Sequence, residues 1–313
     1  MRIGINIYLL QPHVGGITNY VMTFLREWPN LYPDDPLVIF AYEQNRPMLD
    51  KLPGYVHDCV KYLPHQDAIL DHLDSFDVYF CPIGALYPRP IRKPSVVLVM
   101  DIQERFFPEF FDDQQWRARA FHFTWSLKMA DRVIAISDFA KKTFVEVAGI
   151  PSEKIQRVYL CADELPEQST QPALTLDTER PFAFYPANSW THKNHARLLD
   201  ALSLNREHGL KIPMVLTGAQ VDGTPSIEAA IQERELAGQV EYAGRLERSE
   251  IAWLYRHARM LVNPSLFEGF GIPLVEAMLS DCPVVCSGTT SLPEIGGSAI
   301  YTFDPFSTCL LYT

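Results

Sequence analysis

RMLVNPSLFEGFGIPLVEAMLS, residues 259–280, is the stretch from which the fold is read. Met260, Leu261 and Val262 make a short apolar run that suits a buried strand, and Asn263, Pro264 and Ser265 break it. A loop over residues 266–271 follows, with Glu268 beside two glycines, Gly269 and Gly271, that flank Phe270. Pro273 stands where a helix begins, a position that tolerates a missing N–H. Leu274, Val275, Met278 and Leu279 give that helix an apolar face. Glu276 is expected in its first turn, beside unpaired amides and the positive end of the helix dipole.

Two carboxylates, Glu268 and Glu276, thus bracket a glycine-bearing loop at a helix N-terminus. Such a loop holds an anion with backbone amides. Carboxylates beside it are poor phosphate ligands but good acceptors for sugar and ribose hydroxyls, which together suggest a nucleotide sugar. Taken alone, the pair also reads as a helix-capping acid and a solvated loop acid, the commoner fate of two glutamates.

The surrounding residues bear on that choice. PSLFEGFGIPLVEA, followed by PVVCSGTTSLPEIGG, closely resembles the donor-binding signature of the GT-B retaining glycosyltransferases, the group 1 or GT4-like family. Glu268 and Glu276 match that family's two-glutamate motif, and further segments match in the same order along nearly the whole chain. The resemblance implies an α/β chain of GT-B fold, two Rossmann-like domains facing each other across a cleft. It implies an acceptor-binding domain over residues 1–170 and a nucleotide-sugar donor-binding domain over residues 178–313.

Composition agrees with a globular chain. Of 313 residues, 47% are apolar and 21% charged, enough for a sizeable core. The net charge of −11 comes with no basic stripe, which argues against a nucleic-acid partner. Six cysteines, at 59, 81, 161, 282, 286 and 309, lack metal or disulfide-framework spacing and read as small buried apolar residues in a reducing compartment. No apolar run reaches membrane-spanning length. MRIGINIYLL is interrupted by Gly4 and Asn6 and reads as a first strand rather than a signal peptide. The expected location is cytoplasmic, with peripheral contact at the inner membrane left open, since no strongly basic amphipathic stretch demonstrates it.

In chain order, residues 2–10 are an opening strand, 11–16 a turn-rich loop ending in Gly15-Gly16, and Ile17, Tyr20, Val21, Phe24, Leu25 and Trp28 recur at helical spacing. GxGxxG is absent, so this is not the dinucleotide fingerprint; by resemblance Gly15 and Gly16 lie near the donor phosphates. Strands follow at 37–42, 78–81 and 96–100. The last delivers Met100-Asp101 to its carboxyl end, where open α/β sheets place ligands. The resembled family usually has His-Asp here, and methionine offers no comparable hydrogen bond. A helix is expected over 111–130, with Arg117 and Arg119 as solvated charges, then a strand at 133–136 and a helix capped by Ser137. Residues 164–180 have linker composition.

The second half opens with a strand at 181–185 and PANSWTHKNH. Lys193 sits at a strand-to-helix junction, well placed for a diphosphate. Asn188 takes the place of an Arg that most relatives carry, and His192 and His195 read as loop or helix-surface residues. Strands at 215–218 and 240–243, helices at 227–236 and 249–258, a strand at 284–287 and a short helix from Ser291 complete the pattern. By resemblance the turn at Arg245 and Leu246 borders the nucleotide base. Residues 307–313 do not continue the family pattern, so the chain reads as C-terminally truncated, its last helices missing.

The function so implied is transfer of a sugar, with retained configuration, from a nucleotide-diphosphate donor to a glycan or lipid-linked saccharide. The subgroup's appearance leans towards GDP-mannose, a mannosyltransferase and cell-surface polysaccharide assembly. Glu268, Lys193 and Asp101 are the expected catalytic residues. Gly15, Gly16, Asn188, Lys193, Arg245, Leu246, Glu268, Gly269, Phe270, Gly271, Ile272 and Glu276 are the expected donor contacts. No Asp-x-Asp pair occurs, so no metal ligand and no cofactor beyond the co-substrate is expected. Met100 and the chain end keep open a nucleotide-sugar-binding protein with impaired catalysis, and a third reading is a nucleotide-sugar epimerase of the same architecture.

Overall fold

The computed structural model describes residues 1–10, 16–162, 164–221 and 223–307. They fall into two compact units, residues 1–161 and 162–313. In the first unit the strands are β1 (Ile3–Asn6), β2 (Leu37–Ala41), β3 (Val60–Tyr62), β4 (Val78–Cys81), β5 (Ser95–Val99), β6 (Arg132–Ala135) and β7 (Ile155–Arg157). They form one parallel sheet in the order β3-β2-β1-β4-β5-β6-β7. Its longer helices are α1 (Gly16–Leu31), α2 (Asp113–Met129) and α3 (Asp138–Glu146).

The second unit repeats the plan. Its strands are β8 (Ala183–Pro186), β9 (Met214–Thr217), β10 (Val240–Tyr242), β11 (Met260–Asn263), β12 (Val284–Ser287) and β13 (Ile300–Phe303). They are all parallel, in the order β10-β9-β8-β11-β12-β13. The crossovers carry α4 (His195–Glu207), α5 (Ile227–Glu233), α6 (Arg248–His257), α7 (Ile272–Leu279) and α8 (Leu292–Gly296). Relative to each unit's first strand the two orders coincide at 3-2-1-4-5-6, the doubly wound arrangement of Rossmann-like domains.

Parallel strands covered on both faces have to be apolar at consecutive positions. Met214, Val215 and Leu216 of β9 and Leu261 and Val262 of β11 are all buried. Two core clusters result, one on each face of the second sheet. Phe184, Leu254, Tyr255, Leu274 and Leu292 belong to one, and Tyr185, Leu199, Leu202, Leu216 and Val262 to the other. The expected helices form, and their caps are visible. Ser137 Oγ accepts from the Ala140 amide at 3.0 Å, and Asp112 and Gln115 close a reciprocal capping box ahead of α2.

The structure adds to the sequence reading in three places. Strands β3, β7 and β13 were not expected, because three or four residues with polar members carry too little periodicity. The short helices Arg46–Leu49 and Gly54–His57 were missed for the same reason. The division between units falls at residue 161/162, ahead of the expected boundaries at 170 and 178. Leu165, Leu174 and Leu176 pack on the second unit's core, the Leu176 amide donates to Glu241 at 2.6 Å, and Arg256 donates to the carbonyl of Pro166 at 2.7 Å. Linker-like composition concealed three leucines that anchor the segment.

One glycine sets how closely two loops of the second unit approach. Gly218, just past β9, has φ +127°, and a Cβ there would stand 2.4 Å from the carbonyl oxygen of Ala187. The next residue's amide donates to Asn188 Oδ1 at 2.8 Å, so the contact braces the segment that leads to Lys193. Gly218→Ala is expected to lower stability by about 2–4 kcal/mol, through backbone strain and the clash together. Denaturant unfolding measures it, and an unchanged midpoint would contradict this packing.

Candidate active site

The second sheet reverses its winding between β8 and β11. Successive connections run one way from β8 and the other way from β11, so the loops at their carboxyl ends part and leave a crevice. Residues 187–194 leave β8 and residues 264–271 leave β11. Several bonds tie these loops together. The Leu266 amide donates to the His192 carbonyl at 2.8 Å, and Asn194 Nδ2 donates to the Pro264 carbonyl at 3.0 Å. Tyr185 Oη donates to the Lys193 carbonyl at 2.9 Å and lies 3.2 Å from Ser265 Oγ. Asn194 has φ +62°, a left-handed conformation that asparagine tolerates, and there the turn Thr191–Lys193 hands over to α4.

The outcome is a contact between side chains 75 residues apart: Lys193 Nζ lies 2.6 Å from Glu268 Oε1. Their side chains are only 18% and 11% exposed. The loop bearing Glu268 is braced from the exit of β12, where Ser291 Oγ donates to the carbonyls of Glu268 and Phe270 at 2.9 and 3.0 Å. Gly269 and Phe270 are buried in this loop. Gly271 ends it with φ +103°, and a Cβ there would meet Leu292 at 2.6 Å. Ile272 and Pro273 then open α7. Sequence reasoning placed Lys193 and Glu268 in one site but not in direct contact.

Glu276 differs from its expected place. It lies in the second turn of α7, not the first, so it does not cap the helix. Arg248 Nη1 donates to its Oε1 at 2.6 Å, and Tyr255 Oη donates to its Oε2 at 2.9 Å. Tyr255 is fully buried, and burial together with the neighbouring carboxylate holds its hydroxyl protonated, well above the usual tyrosine range. Sequence reading missed both partners. Their only trace is a two-turn spacing on α6, which names no partner until α6 and α7 pack.

The remaining expected residues are placed as follows. Asn188 uses its side-chain oxygen on the Ala219 amide. Leu246 packs against the second unit's core, and Arg245 beside it is exposed. Gly16 is exposed at the first position of α1, whereas Gly15 lies outside the described residues, as does Cys309. Cys81, Cys282 and Cys286 are buried thiols, but Cys161 is exposed and Cys59 half-buried, against the expectation for all six. Among the described residues no group of three His, Cys, Asp or Glu side chains is arranged to hold a metal ion. No described helix is long and apolar enough to cross a membrane.

In the first unit Met100 and Asp101 follow β5. Asp101 Oδ1 accepts from the Gln103 amide at 3.1 Å, ordering the turn. Arg119 is not a solvated charge. Its guanidinium lies 4.9 and 4.8 Å from the ring centres of Phe111 and Phe123, and it pairs with Asp101 at 3.7 Å and with the wholly buried Glu104 at 3.5 Å. Burial pushes the Glu104 carboxyl above its ordinary range.

His195 is also a correction: it is buried rather than on the helix surface. Its ring lies 5.1 Å from that of Tyr185. Burial, with Lys193 adding to it, lowers its pKa from 6.5 to about 4. The folded chain therefore keeps this ring neutral while the unfolded chain protonates near 6.5. The resulting stability is complete above pH 6.5 and is lost as pH falls towards 4, a loss of about 3 kcal/mol at most. His195→Gln should flatten the pH dependence of unfolding between pH 6.5 and 4, and equal slopes for the two proteins would refute this.

Comparison with known proteins places this geometry. Residues 167–306 match the family described as glycosyl transferases group 1. O-antigen chain mannosyltransferase B of Escherichia coli is 28% identical over 218 residues, which are 67% of this chain and 57% of that protein. O-antigen chain mannosyltransferase RfbU of Salmonella typhimurium is 25% identical over 207 residues, 66% of this chain and 55% of its own. The chain thus spans little more than half the length of these relatives. Among solved structures, Anabaena HepE in complex with UDP and glucose superposes with a TM-score of 0.74 at 20% identity, covering 100% of this chain and 88% of that one. Sucrose-phosphate synthase from Thermosynechococcus elongatus gives 0.75 at 16% identity, with the same coverages. These likenesses establish the GT-B class of α/β fold. With the glutamate-bearing loop and the β8–β11 crevice in agreement with it, the match to the group 1 glycosyltransferases covers residues 167–306, most of the second unit.

Proposed function

We propose that this chain transfers a sugar from a nucleoside diphosphate sugar to a glycan or lipid-linked acceptor, with retained configuration and without a metal ion. The observation that carries the reading is the convergence of Lys193 and Glu268 at the β8–β11 crevice. A cation and a carboxylate meet there beside the amides of Gly269, Phe270 and Gly271 at the start of α7. Diphosphate chemistry needs the cation and the amides, because negative charge grows on the leaving group as the glycosidic bond breaks. Sugar hydroxyls need the carboxylate as acceptor. On this reading Lys193 exchanges Glu268 for the diphosphate, Glu268 turns to the sugar, and Glu276 takes the ribose. The leaving phosphate helps remove the acceptor's proton on the same face. Asp101 orders the turn after β5. Relatives named as mannosyltransferases support a mannosyl donor such as GDP-mannose, although the HepE structure was solved with UDP.

Met100 favours a second reading, binding of the donor without efficient transfer, because its thioether stands where the resembled family has an imidazole. Both readings make the same first demand. UDP-, GDP-, ADP- and dTDP-sugars are screened for binding and slow hydrolysis, with EDTA present. One donor should bind, and Lys193→Ala should weaken it about 10- to 100-fold, the worth of a hydrogen bond to a charged group. Binding that survives both Lys193→Ala and Glu276→Ala would place the donor elsewhere. Turnover by wild type in EDTA supports the transferase; binding without turnover, restored by Met100→His, supports the second reading.

A further inference from the structure

We propose that Arg248 and Tyr255 are positioning residues for the nucleotide: they hold the Glu276 carboxylate in one plane so that it receives a vicinal diol, the ribose of the donor. The inference rests on the reading of Glu276 given above and goes beyond it, because neither partner belongs to the two-glutamate motif.

Geometry carries the argument. A glutamate's terminal torsion is broad and nearly two-fold, so an isolated carboxylate at the end of three rotatable bonds points its lone pairs in no fixed direction. Glu276 is not isolated. Arg248 reaches Oε1 at 2.6 Å and Tyr255 reaches Oε2 at 2.9 Å, one donor on each oxygen. A carboxylate accepts at about four lone-pair sites, so each oxygen keeps capacity for one further donor. Two hydroxyls on adjacent carbons match that pattern, one for each oxygen.

The two partners share one rigid element. Arg248 and Tyr255 are seven residues apart on α6 and therefore project from the same face. Tyr255 is fully buried and set edge-on to Phe184, with ring centres 5.1 Å apart at 81°, so its hydroxyl is fixed by core packing. Arg248 lies on the wetter side, 36% exposed against 9% for Glu276. The carboxylate thus has the buried Tyr255 on one side and the wetter Arg248 on the other. Arg248 also neutralises Glu276.

A purely structural ion pair would stabilise the α6–α7 contact and be indifferent to the ribose. The test separates the two roles. GDP, UDP and ADP are titrated calorimetrically against the protein, and the tightest is compared with its 2′,3′-dideoxy counterpart. Wild type should prefer the ribose form by about 10- to 100-fold, the worth of hydrogen bonds to a charged acceptor. Arg248→Met and Tyr255→Phe should reduce that preference to within about three-fold, as Glu276→Gln does, while affinity for the dideoxy nucleotide stays near the wild-type value. Arg248→Lys, which keeps the charge but not the planar fork, should recover part of the preference.

Loss of affinity for both nucleotides in equal proportion, or an unchanged preference in Arg248→Met, overturns the positioning role. If Glu276→Gln itself keeps the preference, the ribose reading falls first and this inference with it. A wild type that binds none of the three overturns both. Should Tyr255→Phe fail to fold, the two Arg248 variants decide.

Discussion

Parallel pairing of β8 with β11 is the constraint on which the second unit's chemistry depends. The register sets Ala183 beside Met260 and Phe184 beside Leu261, so both strands end at the same level and release their loops side by side. Each loop is then held by the other, through the Leu266–His192 and Asn194–Pro264 bonds. Lys193 and Glu268 meet because those backbones have nowhere else to go. A one-residue slip in β11 would turn its alternate side chains to the opposite face of the sheet and carry Glu268 out of reach.

The ion pair itself is not a source of much stability. Removing two charges from water costs nearly what their attraction returns, whereas removing one partner leaves the other uncompensated. What such a pair does supply is two opposite charges held ready at one point. On the proposed reading the ligand replaces each charge's partner, so binding exchanges one set of charge contacts for another instead of desolvating bare ions. Glu276 instead keeps Arg248 on the proposed reading and offers its remaining lone pairs, but both carboxylates of the signature are matched to a cation drawn from a distant segment.

Beneath those pairs lies a polar layer that the apolar core would not tolerate unsatisfied. Tyr185, Asn194 and Ser265 are buried and spend their hydrogen bonds on the two loops. His195 stays neutral among them, since a charged ring there would face both burial and Lys193. The first unit solves a related problem differently, with the Arg119 guanidinium between two phenylalanine rings and facing the buried Glu104. Aromatic faces there add to what the two carboxylates, Asp101 and Glu104, supply.

Much of this was legible in one dimension. Apolar runs of strand length separated by helical periodicity determine a doubly wound α/β chain, because only parallel strands buried on both faces need such runs. The loop from Glu268 to Gly271 and the junction at Lys193 were likewise readable, since glycine, proline and a cation at strand ends have local physical meanings. Three things were decided by tertiary structure alone. The leucines at 165, 174 and 176 join the second unit because its core offers them a surface. Glu276 finds Arg248 and Tyr255 because α6 packs on α7. His195 is buried because Tyr185 and the β8 loop close over it. In each case the deciding contact joins segments whose separation along the chain carries no periodic signal, so spacing named the residues and packing chose their partners.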